Sequence, residues 1–351
     1  MSRPNILLIG IDALRVKNLS CYGYKRPTTP NIDKLAHRGM LFKKAFSVGN
    51  QTVPSLIAIF SGCYIGPRNN MWKYDNEWVK LFKKHGYKTF YVGIQSMACY
   101  SPLDKILSSF EIRVNAVTNK YPCLKKVMDK FRVGSLPHKI VRKIYETKRE
   151  ITFKKQMLTQ CREDATKICN KATTTLGNIR QPFFLFLWFP DLHYPYNPPK
   201  EFVQYISKYK LPIKKNISTE EILEKLHISI YKNHIKWNIL NDRYASDIIN
   251  RYDGTLRYID TQIGIILKSL SEKGLTDDTI IILMADHGES FIEHDIFFEH
   301  HGLYDVSIHV PLIIYNPDFC GRKTIDELVQ TIDLFPTIAK MVNIDISKIR
   351  T

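Results

Sequence analysis

The chain has 351 residues, 44% hydrophobic and 12% aromatic, enough for one large core, and no apolar run approaches the roughly 20 residues that span a bilayer. Its 7 cysteines are scattered, without a CxxC pair, which excludes a disulfide frame and a cysteine-based zinc site. A surplus of 51 Lys and Arg over 34 Asp and Glu gives a formal charge of +17, which favours phosphate or sulfate esters, an anionic membrane surface or a polyanionic glycan as partners; no nucleic-acid-binding motif is present.

The chain enters a strand at residues 4–11 with no signal-peptide pattern before it, so a cytoplasmic protein is expected, at most peripheral to a membrane. Helical patterns follow at 29–38, 54–61 and 75–85, and a strand at 89–93. Residues 113–160 show no strong strand pattern and are expected to form a helical insertion. Lys and Arg concentrate between Lys120 and Lys171, either as a solvated helical face or as a contact for an anionic surface. A helix at 162–176 leads to a strongly apolar strand at 182–189. Residues 197–245 are polar and lysine-rich and read as a second insertion. A long amphipathic helix at 244–271, strands at 280–284 and 310–315 and a final helix at 325–341 complete the pattern. Such alternation predicts one α/β domain over residues 1–351, with a mainly parallel sheet covered by helices on both faces.

Two strand ends carry chemistry. The apolar run Thr279-Ile280-Ile281-Ile282-Leu283-Met284-Ala285 leads into Asp286-His287-Gly288-Glu289. A carboxylate beside an imidazole suits a divalent metal, and the adjacent glycine lets the backbone turn closely around it. The first strand, Asn5-Ile6-Leu7-Leu8-Ile9-Gly10-Ile11, ends in Asp12. Two strand-end acids far apart in sequence are what an open α/β sheet uses to build one site along its carboxyl edge.

Segments 5–24, 50–62, 183–199 and 281–317 together resemble, in order and spacing, the sulfatase branch of the alkaline-phosphatase superfamily. The opening Pro4-Asn5-Ile6-Leu7-Leu8-Ile9-Gly10-Ile11-Asp12-Ala13-Leu14-Arg15 is similar to that family's first strand and metal-binding acid. Cys21-Tyr22-Gly23-Tyr24, Thr29-Pro30-Asn31-Ile32-Asp33 and, late in the chain, Asp333-Leu334-Phe335-Pro336-Thr337 continue the match. The resemblance implies an alkaline-phosphatase/sulfatase-like sheet sandwiched by helices. Because the sequence stops soon after Thr337, the family's C-terminal subdomain is expected to be short or absent.

Thr52-Val53-Pro54-Ser55 resembles the segment in which sulfatases oxidise Cys or Ser to formylglycine. Here that position is Thr52, and Leu56 stands in place of the family arginine. Threonine is not converted by the usual route, but a hydroxyl at a helix start beside a metal can attack directly. Threonine nucleophiles of this kind resemble those of the phosphoethanolamine-transferase and lipoteichoic-acid-synthase relatives. A plain helix cap is the alternative role for Thr52. By the resemblance, Asp12, Thr52, Asp286 and His287 form the shell of one divalent metal. Ala13 breaks the usual acid pair, and His287 stands where many sulfatases place Asn, so manganese or zinc is favoured over calcium.

His193, in Asp191-Leu192-His193-Tyr194-Pro195-Tyr196, matches a family histidine that contacts the transferred group or the leaving oxygen, although a purely structural stacked role is the alternative. In Glu299-His300-His301-Gly302-Leu303-Tyr304, where sulfatases often carry a lysine, His300 and His301 are candidates for substrate binding. His301 is preferred as catalytic because His-Gly-Leu is the pattern of the threonine-nucleophile relatives. His294 reads as a lid residue, and His309 stands where the family often has arginine. The family's Gly-Lys-x-His pair is missing after the strand at 89–93, where the chain reads Gly93-Ile94-Gln95-Ser96-Met97.

Three functions compete. A metal-dependent enzyme acts on a phosphate ester or phosphodiester through Thr52, passing the group to water or to another alcohol. A sulfuric ester hydrolase keeps the family's name but would form a sulfo-threonine that lacks the elimination route of formylglycine. A catalytically inactive anion-binding protein would explain the missing lysine and arginine, but not the retained Asp12, Thr52, His193, Asp286 and His287.

Overall fold

The computed structural model describes residues 3–65, 71–94, 102–117, 164–213, 215–226, 242–319 and 321–347, with a few positions between 135 and 144. An eight-stranded sheet forms the centre, built from β1 (Asn5–Ile11), β2 (Met40–Phe46), β3 (Lys88–Ile94), β4 (Ile112–Val117), β5 (Phe183–Phe189), β6 (Thr279–Ala285), β7 (Leu312–Tyr315) and β8 (Lys323–Gln330). Their spatial order is β4-β3-β5-β1-β6-β7-β2-β8. All run one way except β7, which is antiparallel to its neighbours β6 and β2.

The middle strands β1, β5 and β6 are buried along their whole length. Their near-continuous apolar runs follow from having helices on both faces. The two-residue period of a strand then splits each between two cores. Leu7, Ile9, Leu185 and Leu187 join the side covered by helices Pro30–Arg38, Asp164–Gly177 and Ala245–Glu272. Ile6, Leu8, Phe184 and Phe186 join the opposite side, covered by helices Thr52–Ser61, Glu77–Lys84, Pro102–Ser108 and Leu334–Met341. No helix among the described residues is long and apolar enough to cross a membrane.

Register positions the site. Ile11 of β1 lies opposite Ala285 of β6 and Phe189 of β5, all parallel. The next residues, Asp12 and Asp286, therefore emerge side by side at the carboxyl edge, with 190–193 beside them. The Asp12 amide donates to the Phe189 carbonyl at 2.9 Å and carries the pairing one residue further. Ala13 then turns with φ +53°, an uncommon left-handed conformation for a non-glycine residue, and its amide points back at Asp286 Oδ1, 3.2 Å away.

Two expectations are corrected. Residues 323–330 form strand β8, not the start of a final helix; the helix is confined to Leu334–Met341. Ile325, Leu328 and Val329 are spaced i, i+3, i+4, which mimics a helical stripe, but they belong to an edge strand whose Leu328 is 65% exposed. At the other edge Ile112–Val117 is strand β4, in a region expected to be helical. Its alternating Arg113 and Asn115 conceal the strand signal that a buried run would give. The rest of the expected insertion at 113–160 lies almost entirely outside the described residues. Within 197–245, helices Lys200–Ile206 and Thr219–Lys225 are present, and residues 227–241 lie outside the description.

Candidate active site and metal centre

Asp12, Asp286 and His287 are fully buried, and one ligand atom from each lies within 4.8 Å of the others. His287 Nε2 is 3.5 Å from Asp12 Oδ1 and 3.4 Å from Asp286 Oδ2. The tautomer of His287 follows from its second nitrogen. Nδ1 is 2.7 Å from the Gly288 carbonyl oxygen, which can only accept, so Nδ1 carries the hydrogen and Nε2 turns a lone pair toward the two carboxylates. Burial, reinforced by the His300 and His193 charges, holds the imidazole well below its ordinary pKa, so it is neutral. A neutral imidazole with an outward lone pair between two carboxylates is a ready-made ligand set. Asp286 Oδ1 accepts from the amides of His287 and Ala13, whereas Oδ2 is buried and makes no hydrogen bond. Burial pushes Asp286 up to about 7, against the Thr52 hydroxyl, the two amides and the His300 charge. A divalent cation fits this donor set, because it would satisfy Oδ2 and the facing lone pair together.

Thr52 completes the group. It is the first residue of helix Thr52–Ser61, and the N-cap is Gln51. Its hydroxyl is therefore not spent on capping. Oγ1 lies 3.3 Å from Asp12 Oδ1 and 3.2 Å from His287 Nε2. The residue is half-buried, so this oxygen can meet a substrate. The helix is held in place by Ser47, whose hydroxyl donates to the Asp286 carbonyl and lies 3.3 Å from the buried Ser55 hydroxyl. Leu56, at the family's arginine position, is 1% exposed and packs in the core.

Three imidazoles surround this cluster. The His300 ring lies over the His287 ring, centroids 4.3 Å apart, and sits edge-on to His193 at 6.1 Å. Burial acts to lower the His300 pKa, but Glu289, Glu299 and Asp12 outweigh it and raise it to about 9, so the ring is cationic at neutral pH. His193 Nδ1 donates to the Tyr194 carbonyl at 3.0 Å, and the two rings pack at 4.6 Å. His301 lies further out, its side chain 37% exposed and Nε2 3.6 Å from Glu299 Oε2. The structure thus sets His300, more than the sequence-preferred His301, against the cluster. His294 stacks on Tyr304 at 3.8 Å on the rim. His309 is turned away: Nε2 donates to the Lys43 carbonyl, and the ring stacks on Phe46. Residues 95–97, where the family's lysine and histidine are missing, lie outside the described residues.

Sequence reasoning gave no role to Glu289, which is fully buried behind His300, nor to the pair of Arg15 with Glu293. Arg15 Nη2 meets Glu293 Oε1 at 2.6 Å, Nε donates to Asn18, and the guanidinium lies 3.8 Å over the Phe291 ring. The third Arg15 nitrogen, Nη1, donates to the Glu289 carbonyl, which ties the loop after β1 to the loop after β6. Burial alone would raise Glu293, but the Arg15 charge and hydrogen bonds, with backbone amides, bring it to about 2.

The Sulfatase family model matches residues 4–344. Human iduronate 2-sulfatase is 26% identical over 418 residues, covering 97% of this chain and 69% of that protein. The phosphonate monoester hydrolase of Agrobacterium radiobacter superposes with a TM-score of 0.70 at 20% identity, covering 98% of this chain and 74% of that one. The C-terminal periplasmic domain of EcEptC from Escherichia coli, in complex with zinc, superposes with a TM-score of 0.67 at 13% identity, covering 100% and 85%. The chain belongs to the sulfatase family and is an enzyme acting on esters.

Proposed function

We propose that this sulfatase-family enzyme is a hydrolase or transferase of phosphate esters or phosphodiesters, with Thr52 as nucleophile and one divalent ion, manganese or zinc in preference to calcium. The observation that carries the reading is the placement of the Thr52 hydroxyl, 3.3 Å from Asp12 Oδ1 and 3.2 Å from His287 Nε2. Asp12, Asp286, His287 and Thr52 would hold the ion, which lowers the pKa of a coordinated hydroxyl and offsets charge on a phosphoryl oxygen. An imidazole and only two carboxylates make a poorer site for calcium, which takes six to eight oxygens.

Thr52 Oγ1 forms a bond to phosphorus as the bond to the leaving oxygen breaks. The hydroxyl proton has Asp12 Oδ1 before it as acceptor, since His287 Nε2 has a single lone pair and would give it to the ion. The start of helix Thr52–Ser61 faces the anion with backbone N–H groups. His300, cationic at neutral pH, opposes the oxygens' charge, and His193 stands beside it to protonate the leaving oxygen. Water or a second alcohol then attacks the phospho-threonine and restores the hydroxyl.

A sulfate ester is the second reading, because the curated relative matched above is a sulfatase. Against it, sulfo-threonine has no hydrate from which sulfate is eliminated. The test is a set of specificity constants for matched aryl phosphate monoester, phosphodiester and sulfate, on metal-stripped protein resupplied separately with manganese, zinc and calcium. Phosphoryl esters turned over best with manganese or zinc support the assignment. A sulfate ester turned over best by protein whose Thr52 is chemically intact overturns it. Protein that binds no metal and turns over none is the inactive family member.

A further inference from the structure

We infer that Glu289 is a positioning residue: it holds His300 by Nδ1, so that Nε2 is presented to the oxygens of the transferred group. The inference rests on the reading above and assigns His300, not His301, to the inner contact.

The first observation is burial. Glu289 is a fully buried carboxylate three residues beyond Asp286, and such a group stays in a core only if it is partnered. Its two oxygens serve different neighbours. Oε2 accepts the Tyr196 hydroxyl at 3.2 Å, and Oε1 faces His300 Nδ1 at 3.6 Å. Tyr196 is itself buried and packs edge-on to Tyr252 at 5.1 Å, whose hydroxyl donates to the Ala13 carbonyl at 2.8 Å. The carboxylate is thus braced from behind, through two aromatic rings, against the loop that carries Asp12.

The second observation is backbone register. Ser290 and Glu299 form an isolated antiparallel bridge, with N–H···O distances of 2.8 and 3.3 Å. The next pair outward is Glu289 opposite His300, and side chains directly opposite in an antiparallel pair lie on the same face. The contact is therefore imposed by the turn between them. Arg15, which donates to the Glu289 carbonyl, fixes the same point.

The third observation is the direction of the ring. With Nδ1 toward Glu289, the opposite nitrogen, Nε2, points away from the carboxylate, and the ring lies over His287 at 4.3 Å. His301 has the reverse arrangement, with Nε2 toward Glu299 and its side chain 37% exposed. Of the two, His300 combines a position over the cluster with a carboxylate behind it. The 3.6 Å separation is longer than a hydrogen bond, and catalytic contacts of this kind tighten when the anion binds.

The test is a double-mutant cycle on the metal-loaded enzyme with an aryl phosphate ester, reading kcat, KM, bound metal and thermal midpoint. Glu289→Ala is expected to lower kcat about 100-fold with KM and bound metal little changed. Glu289→Gln, whose amide oxygen still accepts from Nδ1–H, should recover to within about tenfold of wild type. His300→Ala should lower kcat at least as far, and adding Glu289→Ala to it should cost nothing more in kcat. A merely structural Glu289 would instead lower the midpoint and multiply its kcat effect in both backgrounds, which overturns the inference. If Glu289→Ala does not fold, the cycle of Glu289→Gln with His300→Ala decides: loss confined to the His300 background supports the role, and equal loss in both overturns it. Thr52→Ala separates the two readings. If it keeps full activity the function itself fails; if it is dead while Glu289 and His300 act independently, only the positioning role fails.

Discussion

Replacing Gly288 by alanine adds one methyl at the tightest point of the site. The glycine follows His287 and has no left-handed φ, so its backbone conformation is open to alanine and the cost is steric. A Cβ there would lie 2.2 Å from the Val306 carbonyl oxygen and 3.1 Å from the carbonyl carbon. Reaching even 3.0 Å requires 3.0 − 2.2, about 0.8 Å of movement, between two stretches of backbone. That movement works against the Gly288 N–H···O bond to Ser307, at 2.7 Å, and shifts the Gly288 carbonyl that fixes the His287 tautomer. Overpacking costs about 1–3 kcal/mol and a strained or lost hydrogen bond about 1 more, so Gly288→Ala should lose roughly 2–4 kcal/mol in denaturant unfolding. A shift near 1 Å at the adjacent ligand should also lower turnover about 100-fold and weaken metal binding. Gly86→Ala and Gly274→Ala are the controls: both have φ above +60° but nothing within 4 Å of the added methyl. They lie before β3 and β6, at the sheet edge opposite the site, and should cost about 1 kcal/mol each from the left-handed backbone alone, with turnover unchanged. Gly288→Ala with wild-type turnover and metal affinity would refute the claim that close approach at this glycine sets the His287 geometry.

Thr52→Ala should lower turnover by several orders of magnitude with unfolding stability within about 1 kcal/mol of wild type, and Thr52→Ser should keep partial activity; equal turnover in wild type and Thr52→Ala would leave Thr52 a structural residue. Metal-stripped protein should gain thermal stability on titration with zinc or manganese, by about 2.7 kcal/mol at a hundredfold excess over Kd, and His287→Ala should lose most of that gain. Glu293 gives a pH signature: its pKa falls from 4.5 unfolded to about 2 folded, so its stabilisation is present above 4.5 and is lost as pH falls toward 2. Between pH 7 and pH 3 wild type should lose about 2 kcal/mol that Glu293→Gln does not, and parallel pH profiles of the two proteins would remove Arg15–Glu293 as a stabilising pair.

How much of this was legible in the sequence depended on burial. β1, β5 and β6 are apolar from end to end because helices cover both faces, and such runs announce themselves. The acids after two of them stood out for the same reason, since Asp12 and Asp286 each interrupt a hydrophobic run. β2, β4 and β8 were missed. Their polar positions carry Lys43, Lys44, Arg113, Asp326 and Glu327, and a strand interrupted in this way has no continuous apolar signal. In β8 the residual apolar positions happened to fall at helical spacing. The cluster of Asp12, Asp286 and His287 was therefore readable where the edges of the fold were not, because these residues grow from the ends of the most buried strands.

His300 and His301 show where sequence reasoning runs out. They are neighbours, chemically identical, and no composition or period ranks them. What separates them is a pairing across a ten-residue turn: Ser290 with Glu299 places Glu289 opposite His300 and leaves His301 facing Glu299 on the rim. A one-residue change in that register would exchange their surroundings. The turn itself depends on His294, Asp295 and Phe298 adopting φ of +60°, +55° and +53°, conformations that side chains disfavour and that no local preference would predict. Strain of this kind persists when surrounding contacts over-determine it, and here the Glu293 carboxylate bonds the Phe291 and Ile292 amides at 2.8 and 3.2 Å while Arg15 grips its other oxygen. Arg15 thus acts twice, fixing the turn that selects His300 and the Glu289 backbone that holds it. The choice of imidazole is made by an arginine three residues beyond the first strand-end acid, a link that exists only once β1 and β6 have paired.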